Sequence, residues 1–367
     1  MTTAVSPVRV IFYNPWAEAP EPIDAYLGRL PGLDLTARLP AGADERLQRM
    51  ARLDCDWYGE CARCFAALSH PSLVFTPAWL VGNSGLAQFA EQCTHRPAGE
   101  IWWWVFMGQH PEKIGPALAP LCTHLRQHGV RIAYYAFDEA SRTMPSFAAL
   151  APHLDVLLHD EFPLGPAAAR LRPECRTEHR SWVANVVPFA VPFNETPEAK
   201  IVFLGSQLGL TPHRHRQIDF LRSTFKDRFI AHHDHSLSVA DRAGLSRYAV
   251  GFCPEGRKFN TPAMAGTHTD RPFWSGCLGL VPVSENSASG GRLDRLAADG
   301  LIRRYAHADL PALRLACEQA LATPAAERRR IYDHFNRVET VGPVLAEALV
   351  AAHAGTADRI ASARERE

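Results

Sequence analysis

Short apolar runs alternate with amphipathic stretches along most of the chain. The runs are rich in β-branched and aromatic residues and end at glycine, proline or polar residues, which is typical of buried strands. In the first half they predict strands at 8–13, 72–76, 100–107, 130–137 and 154–159. Helical periodicity predicts helices between them, at 23–30, 44–68 and 111–129. Strands that alternate with helices predict a parallel, doubly wound sheet, so the fold class is α/β.

The second half repeats this order after a proline-rich segment. Three prolines within 186–197 predict a stiff, extended linker. Strands follow at 200–204, 227–231, 248–252 and 278–283, with helices at 215–226, 310–321, 325–338 and 341–353. We therefore divide the chain into a domain at 1–187, a linker at 188–198, a second domain at 199–340, and a terminal helix with a charged tail at 341–367.

Length and composition limit the classes of protein to which this chain could belong. The 367 residues are 47% hydrophobic, and this length favours two domains. Lys plus Arg equals Asp plus Glu at 39 each, which argues against a dedicated nucleic-acid binder. We see neither a membrane-spanning run nor a signal peptide. The nine scattered cysteines are interpreted as reduced thiols of a cytoplasmic protein.

Two clusters have metal-binding residue types. Cys61 and Cys64 are spaced as Cys-x-x-Cys, with Cys55, Cys93 and His95 nearby. This spacing fits no regular zinc finger, and cysteines in a helical, aromatic-rich stretch are more often small core residues. The segment 232–235 is interpreted as a histidine-rich loop. We predict no required metal or cofactor, and metal binding by either cluster is the less favoured alternative.

Two glycine-containing turns follow strands of the second half. Gly205 and Ser206 end the first strand, and the turn continues through Arg214 and Arg216 into a helix. The segment 269–293 is predicted as a short helix, a buried strand, and a turn at Gly290 and Gly291 that opens another helix. Free N–H groups at a helix start attract phosphate, and parallel strands present such turns at one edge of the sheet. The alternative is an ordinary strand-to-helix turn without a ligand.

Acid–base candidates follow the strands of the first half. His110 follows the third strand, and Asp138 and Glu139 follow the fourth. Polar residues at this edge of a sheet are suited to proton transfer, although ordinary loop residues have the same composition. Trp102, Trp103 and Trp104 are together too bulky for one buried strand, which predicts either a ring lining a cleft or packing between domains.

The order of these motifs resembles GT-B glycosyltransferases, in the branch related to spore-maturation proteins (CgeB-like). The resemblance rests on the linker 187–192, on 202–206 and 269–273, on 279–283, and on 133–139 and 154–161 in the first half. It implies two Rossmann-like domains that face each other across a cleft. The second domain would hold a nucleoside diphosphate sugar and the first an acceptor.

The resemblance also assigns roles to residues of this chain. Gly205 and Ser206 would line the diphosphate, Arg271 would face it, and Gly290 and Gly291 would offer backbone N–H groups. Further cations for the diphosphate are Arg214, Arg216, Arg292 and Lys258. Many GT-B enzymes keep two glutamates eight residues apart, but Gly266 and Trp274 occupy those positions here. Asp270 and Glu285 are the substitutes for the missing ribose contact.

These observations predict a metal-independent hexosyl- or deoxyhexosyltransferase. A UDP-sugar is the favoured donor, with GDP- and dTDP-sugars as alternatives, and the acceptor is a glycan, protein or small molecule. Helix N-termini and arginines would stabilise the leaving diphosphate. Asp138, Glu139 or His110 would act as general base. The alternatives are a nucleotide-sugar 2-epimerase and a non-catalytic protein that binds a nucleotide sugar.

Overall fold

The computed structural model describes the strands and helices that are named below. The described residues are 8–13, 16, 21–35, 37, 39–45, 47–48, 51–52, 55, 58–59, 62, 73–75, 91, 95, 100–107, 114–136, 145–159, 169–179, 191–205, 211–232, 243–254, 271–286, 292–340 and 348–349. Within these ranges, no helix has the length and apolar character needed to cross a bilayer.

The first half forms a sheet that is parallel apart from one short edge strand. Its strands are β1 (Val8–Tyr13), β2 (Glu21–Pro22), β3 (Leu73–Phe75), β4 (Ile101–Met107), β5 (Arg131–Ala136), β6 (Val156–His159) and β7 (Arg176–His179). The spatial order is β2-β3-β1-β4-β5-β6-β7, and β2 alone among these strands pairs antiparallel. The described helices are α1 (Ile23–Arg29), α2 (Leu118–Gln127) and α3 (Pro145–Leu150).

The second half forms a separate parallel sheet of five described strands. These are β8 (Glu198–Leu204), β9 (Phe229–His232), β10 (Tyr248–Cys253), β11 (Val281–Asn286) and β12 (Arg303–Ala306), in the order β12-β11-β10-β8-β9. The helices are α4 (Pro212–Phe225), α5 (Arg271–Cys277), α6 (Arg292–Ala298), α7 (Leu310–Leu321) and α8 (Ala325–Val338). The predicted α/β class with two parallel sheets is confirmed.

Both sheets have a topological switch point. In the second sheet the chain runs from β8 outward to β9 and then returns to the other side of β8 as β10. In the first sheet β3 and β4 lie on opposite sides of β1 in the same way. Crossover connections leave on opposite faces at such a point, so a crevice opens beyond the carboxyl ends of the two central strands. The topology therefore predicts ligand sites beyond β1 and β4 and beyond β8 and β10.

The three consecutive tryptophans of β4 are all core residues. Trp102, Trp103 and Trp104 are between 0% and 2% exposed. Successive side chains of a strand point to opposite faces, so Trp103 packs on one face of the sheet while Trp102 and Trp104 pack on the other. The expectation that this strand is too bulky to be all core was wrong, because the sheet is covered on both faces.

The end of the predicted linker packs against helix α8. The Tyr332 hydroxyl donates to the Val191 carbonyl over 2.6 Å, and Arg328 donates to the carbonyls of Asn194 and Glu195. The Arg329 guanidinium lies 4.2 Å from the centre of the Phe193 ring. The extended segment is thus fixed by backbone-directed hydrogen bonds just before β8 begins.

Candidate functional site

The carboxyl edge of the second sheet gathers side chains from several segments. Because β8, β10, β11 and β12 are mutually parallel, their last residues all lie at this edge. Gly205 follows β8, Glu285 lies near the end of β11, and His307 follows β12. Helix α4, which follows β8, begins at the same edge.

Gly205 and Arg271 meet at this edge, beside the switch point. The Nε of Arg271 donates to the carbonyl oxygen of Leu204 over 2.9 Å, and its guanidinium lies 5.7 Å from the centre of the Phe203 ring. A Cβ placed on Gly205 would lie 3.1 Å from an Nη of Arg271 and 2.6 Å from Phe203 Cζ. A larger residue at this position would therefore displace the Phe203 ring or the Arg271 guanidinium.

The remaining nitrogens of Arg271 are available to an acceptor. The side chain is partly exposed, and within the described part of the chain neither Nη has an acceptor. An arginine that is fixed through Nε and open at both Nη positions can bind two oxygens of an anion at once. The predicted pairing of Gly205 with Arg271 is thus consistent with a phosphate site.

The two arginines of α4 that were predicted to reach the diphosphate, Arg214 and Arg216, lie on different faces of the helix. Thr211 caps the helix by accepting from the Arg214 N–H over 3.2 Å, and Pro212 occupies the first turn. Arg214 is buried, whereas Arg216 is exposed. Two positions correspond to about 200° around a helix, so both cannot point at one ligand.

Glu285 is the centre of a cluster that the sequence did not predict. Its side chain is fully buried, and its Oε1 lies 2.7 Å from Nε2 of His213 and 2.9 Å from Nδ1 of His307. The backbone N–H of Ala308 donates to the same oxygen over 3.1 Å. Ala308 has a φ of 60°, so this turn is held in the left-handed region although it contains no glycine.

The histidines of this cluster come from separate segments. His213 lies in the first turn of α4 and His307 directly follows β12, and their ring centres are 4.6 Å apart. Sequence reasoning considered Glu285 as a ribose contact but overlooked both histidines. The signal that could have found them was positional, because all three residues adjoin carboxyl ends of strands in one sheet.

The other predicted site residues lie outside the described ranges. In the second half these are Ser206, Lys258, Asp270, Gly290 and Gly291, and in the first half His110, Asp138 and Glu139. The strands that precede the first-half residues, β4 and β5, are described and are parallel neighbours. The chain thus leaves each of these strands at the edge where the general base was expected. Cys61, Cys64, Cys93 and 233–235 are likewise not among the described residues.

An open groove elsewhere does not include the predicted residues. It has a volume of about 610 Å³ and is lined by side chains of α8, among them Arg330, Asp333 and His334, together with Asp299. Its Arg330 is already hydrogen-bonded to the carbonyls of Asp299 and Gly300. The groove is therefore separate from Gly205 and Arg271 at the sheet edge.

Comparison with known proteins gave only distant structural matches. No protein-family model matches the chain, and a search of curated proteins found no match. The glycosyltransferase AviGT4, involved in avilamycin A biosynthesis, is 12% identical, with a TM-score of 0.41 over 94% of this chain and 97% of its own. HepE from Anabaena, solved with UDP and glucose, is also 12% identical, with a TM-score of 0.41 over 96% of this chain and 99% of its own.

A third match is the spinosyn rhamnosyltransferase SpnG, solved with spinosyn aglycone. It is 10% identical, with a TM-score of 0.35 over 93% of this chain and 99% of its own. Scores of this size do not establish a common family.

Proposed function

We propose that this protein is a GT-B glycosyltransferase that moves a sugar from a nucleoside diphosphate sugar to an acceptor nucleophile. The second sheet would bind the donor and the first the acceptor, with the segment 188–198 joining two domains. The single observation that supports this proposal is the position of the Arg271 guanidinium. It is fixed on the Leu204 carbonyl beside Gly205, at the switch point of a parallel sheet.

The role proposed for the carboxyl edge of the second sheet is to stabilise the leaving diphosphate. Charge develops on the diphosphate as the bond to the sugar breaks, and a preorganised guanidinium lowers the energy of that state without having to reorient. Arg271 fits this role because its Nε contact sets the plane of the guanidinium before the ligand arrives. Lys258, Arg292 and the backbone N–H groups of Gly290 and Gly291 would complete the site, and no metal at the diphosphate is required.

The ribose contact is better assigned to Asp270 than to Glu285 within this proposal. Glu285 is fully buried, and its Oε1 is already occupied by two histidines and a backbone N–H. Asp270 directly precedes Arg271 and so adjoins the phosphate site. Asp138, Glu139 or His110 of the first half would remove the proton of the acceptor.

Thermal shifts with UDP, GDP and dTDP test the donor site. A ligand that binds the native state raises its stability, by about 2.7 kcal/mol at a hundred times Kd. Charge-assisted hydrogen bonds contribute about 1.5–3 kcal/mol, so Arg271→Ala should weaken nucleotide binding by roughly 10- to 100-fold. Arg222→Ala is the matched control, because Arg222 is an exposed residue of α4 that pairs only with Asp219 among the described residues.

The same variants in a donor-turnover assay distinguish the rival functions. The proposal is supported if the unmodified protein transfers the sugar or slowly hydrolyses the donor and if Arg271→Ala abolishes this activity. Epimerisation of the donor without any acceptor would assign the protein to the 2-epimerases, and tight binding without turnover would make it a non-catalytic partner. Nucleotide binding and turnover that are unchanged in Arg271→Ala would refute the phosphate assignment.

A further inference from the structure

We infer that His213, Glu285 and His307 form a binding site for a divalent transition metal of the zinc class. The site shares no residue with the diphosphate contacts proposed above, and the proposal does not depend on them. Two imidazoles and one carboxylate are a common protein ligand set for zinc, leaving one position of the tetrahedron for water.

The donor atoms already converge to the dimensions of such a site. One ligand atom from each of His213, Glu285 and His307 lies within 4.8 Å of the other two. Zinc bonds of about 2.0–2.1 Å in a tetrahedron place ligand atoms about 3.3 Å apart. The observed separations from Oε1, 2.7 and 2.9 Å, are therefore several tenths of an ångström shorter, a difference that small side-chain rotations can supply.

Glu285 also has an oxygen without a donor. Within the described part of the chain Oε2 is buried and accepts no hydrogen bond, although Oε1 has three partners. An unsatisfied buried acceptor costs about 1–3 kcal/mol, so a fully buried carboxylate is normally satisfied on both sides. A cation bound by both oxygens of this carboxylate would satisfy Oε2, and each imidazole would give it a nitrogen lone pair.

The charge and exposure around the cluster suit a cation that enters from the solvent. Arg304, which donates to the Glu285 backbone carbonyl, is neutralised by an ion pair with Asp294. The His307 side chain is 46% exposed and that of His213 is 23% exposed, whereas Glu285 is 0% exposed. The metal would thus be bound by a buried carboxylate, and its fourth coordination position would face the more exposed side, where the histidines lie.

The proposed ion would join three segments that are far apart in sequence. It would fix the first turn of α4 to the end of β11 and to the turn after β12. Since a metal that binds only the native state stabilises that state, its loss should lower the melting temperature even if it takes no part in catalysis.

The test is metal binding to the purified full-length chain, followed with Zn²⁺ and with Co²⁺ as a spectroscopic probe. We expect about one ion per chain, with the intense visible bands of tetrahedral Co²⁺ and a melting temperature that chelation lowers. His213→Ala, His307→Ala and the isosteric Glu285→Gln should each weaken binding at least tenfold. Circular dichroism identifies any variant that fails to fold, and His307→Ala is the least disruptive because its side chain is half-exposed.

The matched control is His334→Ala. His334 Nε2 lies 3.1 Å from Oε1 of the fully buried Glu339, a histidine–carboxylate pair without a second histidine among the described residues. This control should bind the metal as the unmodified protein does. The proposal is overturned if the unmodified chain binds Zn²⁺ no more tightly than His307→Ala, because the cluster is then only a hydrogen-bonded group. Nucleotide shifts measured after chelation keep this outcome separate from the fate of the proposed function.

Discussion

Gly276→Ala tests how tightly α5, the helix that begins at Arg271, is packed. Gly276 lies in this helix against Phe335 of α8, which is fully buried. A Cβ on Gly276 would lie 2.3 Å from both Cγ and Cδ2 of Phe335. Ordinary carbon contacts are about 3.5–4.0 Å, so the ring or the helix must move by more than about 1 Å.

The expected cost follows from the alternatives open to the ring. Forcing an extra methyl group into a packed core costs about 1–3 kcal/mol, and losing the packing of a buried Phe altogether costs about 3–5 kcal/mol. Alanine regains about 1 kcal/mol over glycine through its helix propensity. We therefore expect Gly276→Ala to lower the free energy of unfolding by about 2 kcal/mol.

The assay is urea unfolding of Gly276→Ala, Gly28→Ala, Phe335→Leu and the double variant that combines Gly276→Ala with Phe335→Leu. Gly28→Ala is the control, because Gly28 lies in α1 and a Cβ added there would meet no heavy atom within 4 Å, so this change should raise stability by about 0.5–1 kcal/mol. In a Phe335→Leu background the cost of Gly276→Ala should shrink by about 1 kcal/mol or more, because the ring is gone. Equal effects of Gly276→Ala and Gly28→Ala, or no coupling to Phe335, would refute this account of the interface.

Burial also shifts the pKa of cysteine and histidine side chains in this protein. The pKa of the Cys122 thiol is raised to about 12 by burial, and burial likewise raises the pKa of Cys277 and Cys317, so all three should resist iodoacetamide in the native protein and react in denaturant. Rapid native labelling, read by peptide mass spectrometry, would contradict this. Burial, and secondly the neighbouring His128, lower the pKa of His124, so its contribution to stability is present above its unfolded pKa of about 6.5 and is lost as the pH falls below that value. His124→Gln should therefore flatten the loss of melting temperature from about pH 7.5 to about pH 5, and an unchanged slope would contradict the assignment.

The elements that carry apolar patterns were predictable from the sequence. β1, β4, β5, β6, β8 and β10 lie within one or two residues of their predicted bounds, because both faces of these strands are buried and their apolar runs are continuous. The edge strands β7 and β12 were missed, since Arg176–His179 and Arg303–Ala306 are mostly polar and have no apolar run to detect. The strand predicted at 278–283 begins instead at Val281, because Gly279, at a φ of 79°, ends the preceding helix.

The residues of the candidate site also divide into those that the sequence predicted and those that it did not. The glycine after a strand end selected Gly205 and the family resemblance selected Arg271, and the structure places the Arg271 guanidinium against the backbone beside Gly205. The assignments that fall outside the described residues, among them Asp138 and Gly290, stay predictions. The positions of His213 and His307 near strand ends were visible in the sequence, but their pairing was not, because 94 positions of chain separate them and a histidine carries no signal of its partner.

The sequence by itself determined the alternation of strands and helices, the two parallel sheets, and the residue types that end at their carboxyl edges. These are local or periodic properties, since burial on one face or both imposes a pattern that neighbouring residues share. The tertiary structure alone decided the strand order and hence the two switch points. It also decided the Nε contact that orients Arg271 and the gathering of two histidines on the buried carboxylate of Glu285. Such contacts depend on which strands become neighbours, a choice made by packing over the whole sheet rather than by any one segment.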